Sequence, residues 1–215
     1  MYKLFWHPSS SSYAPMAVLE ELGVPFSLHQ VDYDGGETHT PSYRKIQPLG
    51  LIPALEIDAG GSMFESGAIV ALLCDRHADR GLAPEASSPL RPAYLQWLFF
   101  LTGTLYPAYN RYYWPARYTA SNGDAEGVKQ AAAKKALDLW QIIEDALDRN
   151  GPWLLGQEFS ACDIYLQMVT TWHEVPKDLL LSFPRIAKAA AGVLERKASR
   201  TAFDRHNFAS GLEGD

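Results

Sequence analysis

The sequence predicts two domains of different class, a small α/β domain followed by an all-helical one. Three observations predict it. Within residues 1–79, four short strand-like segments alternate with three helical ones. Residues 79–92 contain Asp79, Gly81, Pro84, Pro89 and Pro92, the composition of a linker. Beyond it the apolar spacing is helical and no strand pattern returns. The expected boundaries are 1–79 for the first domain, 80–90 for the linker, 91–208 for the helical domain and 209–215 for a loose Gly- and acid-rich tail.

Residues 2–6, Tyr-Lys-Leu-Phe-Trp, read as a short apolar strand, followed by the hydroxyl-rich turn Pro8-Ser9-Ser10-Ser11-Ser12. Residues 14–22 put Met16, Val18, Leu19 and Leu22 on one helical face, and Gly23 is a natural stop. Phe26 to Val31 alternates as a second strand. A short crossover makes the two strands parallel. Asp34-Gly35-Gly36 signals a turn and residues 41–46 a short irregular helix. Ala54 to Ile57 is a strand, Ala59-Gly60-Gly61 a hairpin turn, and Ser62 to Phe64 the last strand. Residues 66–77 form a helix on Ile69, Val70, Leu72 and Leu73. A βαβ unit followed by ββα in so short a span is the thioredoxin-like arrangement. Helices are expected at 91–113, 126–149, 160–173 and 184–198. Asn150-Gly151-Pro152 stops one of them. Ser160-Ala161-Cys162-Asp163 opens the next with capping-box spacing, with Asp in the place of Glu. Trp172 is expected in the core.

At 215 residues and 47% hydrophobic the chain can bury a sizeable core. Its net charge is −6 with Lys and Arg scattered, which argues against nucleic acid or an anionic membrane as partner. No apolar run approaches the roughly 18 residues of a membrane span, and the N-terminus runs straight into a strand without a targeting pattern. A reducing, cytoplasmic location is the simplest expectation. Cys74 and Cys162 lie in apolar-periodic segments and read as small buried hydrophobes. The six histidines show no ligand spacing with cysteine, so no metal is expected.

Two motifs carry the chemistry. Gln47-Pro48-Leu49-Gly50-Leu51-Ile52-Pro53-Ala54-Leu55 is a loop feeding a strand through an Ile-Pro bond, and the residue before Pro53 should be extended. Met63-Phe64-Glu65-Ser66-Gly67 is a strand that ends in an acid and a serine opening a helix. A serine there caps the helix. The free N–H groups and positive dipole end also suit an α-carboxylate, to which the Ser66 hydroxyl can donate. Glu65 can pair with the α-ammonium beside it. Together these parts suit a small zwitterionic thiol peptide.

With the serine turn, these motifs resemble the glutathione transferase family. The resemblance spans about residues 2–200, strongly in the first 80 and diffusely afterwards. It implies glutathione as co-substrate and a cis bond before Pro53. In that geometry the Ile52 N–H and C=O pair with the peptide as a strand would. It implies that Glu65 and Ser66 hold the γ-glutamyl head group. Many members carry Lys, Gln or His in the loop before the proline, to meet the glycyl carboxylate. This chain has Gly50 and Leu51 there, so Gln47 or His39 is expected to supply the contact. The segment from Phe5 to Gly23 looks most like bacterial beta-class members, which have a cysteine where Ser11 stands. Theta and delta classes use a serine that falls nearer Ser10. Tyrosine classes place their hydroxyl where this chain has Trp6 and His7, and the early-helix Arg of zeta-class isomerases is missing.

The chemistry wanted is a thiolate. A free thiol has a pKa of about 8.5, and lowering it by ~2 units takes about 2.7 kcal/mol. A hydroxyl donating to a charged acceptor contributes on the order of 1.5–3 kcal/mol, and a helix N-terminus adds ~0.3–2 kcal/mol. The two together suffice without a general base. Ser11 is the expected donor, with Ser10 the alternative.

Tyr106, Tyr109 and Tyr113 fall on one helical face in an aromatic-rich stretch. Such density is often core. The resemblance implies an electrophile pocket between this helix and the serine turn, lined by these three residues and Tyr13. The expected function is thus transfer of the glutathione thiolate to an apolar or aromatic electrophile, in a homodimer. Two rivals stand beside it: a non-catalytic interaction module of the same fold, and glutathione-dependent reduction of disulfides or peroxides.

Overall fold

The computed structural model describes residues 1–57, 61–120, 123–208 and 211. Ala59 and Gly60 of the expected hairpin turn, and all of the expected tail but Gly211, lie outside the described residues. The chain divides into two units: Met1–Ser88 with Gly192–Ala209, and Pro89–Ala191 with Ser210–Asp215.

The first unit contains β1 (Tyr2–Trp6), α1 (Tyr13–Leu22), β2 (Phe26–Gln30), α2 (Pro41–Ile46), β3 (Ala54–Ile57), β4 (Gly61–Phe64) and α3 (Ser66–Arg76). The sheet runs β2-β1-β3-β4. β1 pairs with β2 in parallel, Leu4 opposite Leu28, and β3 runs antiparallel to β1 and β4. This is the thioredoxin-like domain, in the strand order that a short right-handed crossover and one hairpin produce. α1 stops at Gly23, whose φ of 64° suits a residue without Cβ and lets its N–H reach the Glu20 carbonyl at 3.1 Å.

Every α1 residue except Glu20 and Glu21 is buried. The helix packs against α3 and against α10 (Lys197–His206), the last helix of the chain. Met16, Val18, Leu19 and Leu22 are fully buried, each stabilising by about 1.5–3 kcal/mol. α10 corrects the sequence reading, which ends its last helix at residue 198 and assigns 91–208 to the helical domain. Residues 192–209 instead cluster with the first unit, because α10 covers a face of α1 that would otherwise be apolar and wet. Glu21 ties the pair: its carboxylate accepts from Arg196 Nε at 3.0 Å, Arg196 Nη2 at 2.6 Å and Ser199 Oγ at 2.8 Å.

The second unit is helical, as expected. It holds α4 (Arg91–Phe100), α5 (Tyr106–Tyr113), α6 (Ala125–Asn150), α7 (Ala161–Thr170), α8 (Pro176–Ser182) and most of α9 (Pro184–Glu195). The expected helix over 91–113 is interrupted by a π turn at Leu101–Leu105. α7 is buried on all sides and begins with the expected capping box: Asp163 accepts from the Ser160 N–H at 2.9 Å, while Ser160 Oγ accepts from the Cys162 N–H at 3.2 Å. α7 ends at Thr170, so Trp172 lies beyond it and is half-buried rather than core. Both cysteines are buried and free of disulfide. Among the described residues no helix is long and apolar enough to cross a membrane.

Candidate functional site

The loop before β3 is built from its own side chains. Ile52–Pro53 is cis. Ile52 and Ile46 pack on a core of Phe5, Val31, Tyr43 and Ala54. The Tyr43 hydroxyl donates to the Leu51 carbonyl at 2.7 Å, and burial pushes its phenol up to about 12, so it remains a donor at neutral pH. Gln47 does not face outward: it is 2% exposed and its Oε1 accepts the Leu49 N–H at 2.6 Å. Its burial sets this side chain inside the loop, against the expectation that it meets a ligand's carboxylate.

Gly50 is more than an absent Lys or His. Its φ is 64°, and a Cβ there would lie 2.7 Å from Arg44 Cζ and 2.7 Å from the Thr38 carbonyl oxygen. The glycine makes room for Arg44, whose Nη1 donates to the Pro48 carbonyl at 2.8 Å and whose Nη2 lies 3.4 Å from His39 Nδ1. Arg44 and His39 are both exposed, so this turn carries a guanidinium and an imidazole side by side. Of the two residues expected to supply the carboxylate contact, Gln47 and His39, His39 lies in this turn, beside Arg44, which was not expected. The available signal was a basic residue in the last turn of α2, followed by a glycine in the loop.

β4 pairs Phe64 with Ala54, which sets Glu65-Ser66 beside Pro53. Glu65 adopts φ 70° and ψ 106°, a conformation that costs a non-glycine residue on the order of 1–3 kcal/mol and clusters at ligand clamps. It is the N-cap of α3, and Ser66 is the first helical residue rather than the cap the sequence suggests. The Glu65 carboxylate is exposed and makes no side-chain capping bond, and its carbonyl accepts the Ile69 N–H at 2.9 Å. Ser66 is 5% exposed.

The serine turn meets the proline loop through Ser11. Ser11 Oγ donates to the Ile52 carbonyl at 3.2 Å. Ser10 turns inward: its hydroxyl reaches the His7 carbonyl at 2.7 Å and Ser12 Oγ at 2.7 Å. Ser12 Oγ is 2.9 Å from His206 Nε2. Of the two candidate serines, Ser11 is the one the fold brings against Ile52.

The expected aromatic wall is only partly accessible. Tyr13 is fully buried against Phe203, His206 and Phe208, and burial raises its phenol. It is a core residue, not a pocket wall. In the second unit, Tyr109 is 4% exposed and its hydroxyl accepts from Trp140 Nε1 at 2.8 Å, so it too is core. Tyr106 is half-buried and packs on Trp172 with ring centroids 4.6 Å apart. Tyr113 is 49% exposed and donates to the Trp172 carbonyl at 2.6 Å. Trp172, read from sequence as core, is the third member of this accessible group.

A thioredoxin-like domain with a cis-proline loop, an acid-serine helix start and a serine turn, followed by a helical unit, defines the class of protein. The family model "Glutathione S-transferase, N-terminal domain" matches residues 11–81. Glutathione S-transferase D6 of Drosophila melanogaster is 31% identical over 180 residues, 83% of this chain and 80% of its own. Glutathione S-transferase GstA of Escherichia coli is 29% identical over 199 residues, covering 90% and 93%. The Escherichia coli disulfide-bond oxidoreductase YfcG is 27% identical over 209 residues, covering 93% of each. A glutathione transferase structure from Methylococcus capsulatus superposes with a TM-score of 0.82 at 30% identity, covering 96% of this chain and 98% of its own. The chain belongs to the glutathione S-transferase family.

Proposed function

We propose that the protein binds glutathione and activates its thiol for attack on an apolar or aromatic electrophile, with Ser11 as the activating hydroxyl. The observation that carries this is the Ser11–Ile52 hydrogen bond at 3.2 Å. A peptide laid along the loop offers its cysteinyl N–H to the Ile52 carbonyl. That contact displaces Ser11, whose proton then turns to the cysteinyl sulfur. One exchange thus seats the peptide and delivers a donor to the developing thiolate. Ser10 is less suited, because its hydroxyl oxygen lies 2.7 Å from each of two internal partners.

The head group is assigned to Glu65 for the ammonium and to Ser66 with the first turn of α3 for the α-carboxylate. Arg44 and His39 take the glycyl carboxylate, in place of the loop Lys, Gln or His that many members carry. Tyr106, Tyr113 and Trp172 offer apolar area with polar tips, the surface chemistry such an electrophile calls for.

A second reading, disulfide reduction, is favoured by the likeness to YfcG. A glutathione thiolate attacks one sulfur of a disulfide, forms a mixed disulfide and expels the other sulfur as thiolate. A second glutathione releases the remaining thiol and leaves as oxidised glutathione. The step needs no protein cysteine, in keeping with the burial of Cys74 and Cys162. Comparing the rate of conjugation with that of disulfide reduction separates the two.

The test is the thiolate absorbance of glutathione titrated against pH with and without the protein. The bound thiol should ionise about 2 units below its free value of about 8.5. Ser11→Ala should return most of that shift, while Glu65→Ala and Arg44→Ala weaken binding and leave the shift of the bound thiol in place. Binding without a shift, or a shift that survives Ser11→Ala, sinks the reading.

A further inference from the structure

Ser12 and the end of α10 form a polar cluster that the proposed function does not use. The Ser9 N–H and Ser9 Oγ both donate to the His206 carbonyl, at 2.9 and 3.2 Å. Ser12 Oγ lies 2.9 Å from His206 Nε2. The other ring nitrogen, Nδ1, is 2.9 Å from the Ala202 carbonyl. His206 is fully buried, with Trp6, Tyr13 and Phe208 rings around it. All of these residues belong to the first unit.

The direction of each bond follows from donor inventory. A carbonyl only accepts, so Nδ1 carries the ring proton. Burial, helped by His7 and Arg205 nearby, pushes the imidazole down to about 4, so the ring is neutral at working pH and Nε2 presents a lone pair. Ser12 must therefore donate to Nε2. Its oxygen then offers lone pairs to the His7 N–H at 3.3 Å and to the Ser10 hydroxyl, whose single proton is shared between Ser12 Oγ and the His7 carbonyl, each 2.7 Å from Ser10 Oγ. Ser10 keeps its proton inside the turn. Ser11, between them in sequence, is the hydroxyl aimed at Ile52.

We propose that His206 is a positioning residue: by accepting from Ser12 it sets the hydrogen-bond direction through the serine turn and so aims Ser11 at the cysteinyl sulfur of glutathione. The inference rests on the reading that this turn holds the thiolate. Without the Nε2 acceptor, the Ser12 proton turns to the His7 carbonyl at 3.2 Å, where it competes with Ser10. The residues on either side of Ser11 then lose the side-chain tie that Ser12 makes to α10.

Two variants separate this role from packing. In His206→Gln the side-chain amide reaches the Nε2 position, where its oxygen accepts from Ser12. In His206→Asn the amide reaches only the Nδ1 position and keeps the Ala202 contact alone. The pKa of bound glutathione should stay within about 0.3 units of the parent in His206→Gln and rise by about 0.5–1 unit in His206→Asn, a roughly three- to tenfold loss of thiolate. The dissociation constant measured below about pH 6, where the bound thiol is protonated, should change less than about twofold in both, since neither touches the ligand's charged ends. Variants that match the parent, or that are equally impaired, overturn the positioning role. Nitrogen-15 NMR of the parent tests the same bond without any variant: a ring protonated at Nδ1 upholds it, and one protonated at Nε2 overturns it. A parent that binds glutathione without shifting its thiol overturns the functional reading and this role together. A shifted parent with an unaffected His206→Asn overturns only this role.

Discussion

Ser12 and His206 stand 194 positions apart and share one hydrogen bond, so a single imidazole couples the start of the chain to its end. The same burial gives this residue a pH signature. Its pKa falls from 6.5 in the open chain to about 4 in the fold, chiefly through desolvation, which outweighs the opposing Ala202 hydrogen bond and is helped by nearby His7 and Arg205. The sign follows from proton counts. Between these two values the unfolded chain binds a proton that the folded chain refuses, so stability rises with pH across the window and is lost on acidification. The loss is about 1.4 kcal/mol per unit, or about 3 kcal/mol in all. His206→Gln carries no titrating group here. The stability of the parent minus that of His206→Gln, from denaturant midpoints at a series of pH values, should therefore fall as pH drops from 6.5 towards 4. A gap that stays constant over that range would show that the imidazole is solvated in the fold.

At the scale of elements, the first unit was legible because each piece carries its own signal. β1 through β4 alternate or run apolar between turn residues, α1 ends on a glycine, and the Ile-Pro and Glu-Ser motifs announce the loop and the start of α3. α10 was not legible. Its buried stripe is Ser199, Ala202, Phe203 and His206, the spacing of a helix with one large apolar residue among small and polar ones. Its attachment is polar as well, through Glu21, which is only 6% exposed at its side chain. The same blindness hid Arg44 and Trp172, whose positions depend on neighbours far from any motif, and it hid the burial of Tyr13 and Tyr109. Glu21 should therefore govern how firmly α10 is held. Hydrogen bonds to a charged group are worth about 1.5–3 kcal/mol, so Glu21→Ala should speed amide exchange in α10 by roughly tenfold or more. Exchange in β1 and β3 should be unchanged. A uniform increase across the first unit would mean that α10 does not open separately, and no increase would mean that the ion pair is idle.

For the whole molecule, the return of the chain to its first unit decides what can fold alone. The thioredoxin-like elements all lie within Met1–Ser88, yet the unit they belong to also takes in Gly192–Ala209. Without α10, the face of α1 that carries Tyr13 meets water: this ring packs on Phe203, His206 and Phe208 at centroid distances of 6.0, 5.7 and 5.8 Å. Exposing one buried aromatic side chain costs about 1.5–3 kcal/mol. The loss of the Glu21 carboxylate's partners and of the Ser9 and Ser12 contacts adds to it. The total is a large share of the roughly 5–15 kcal/mol by which a domain is stable. A fragment of residues 1–88 should therefore keep helical signal in far-ultraviolet circular dichroism but lack a cooperative thermal transition. The same fragment joined by a flexible linker to residues 192–208 should recover that transition, because the linker restores α10 at high effective concentration. A cooperative transition in 1–88 alone would show that the sheet, α1 and α3 suffice. α10 would then serve the serine turn rather than the stability of the unit.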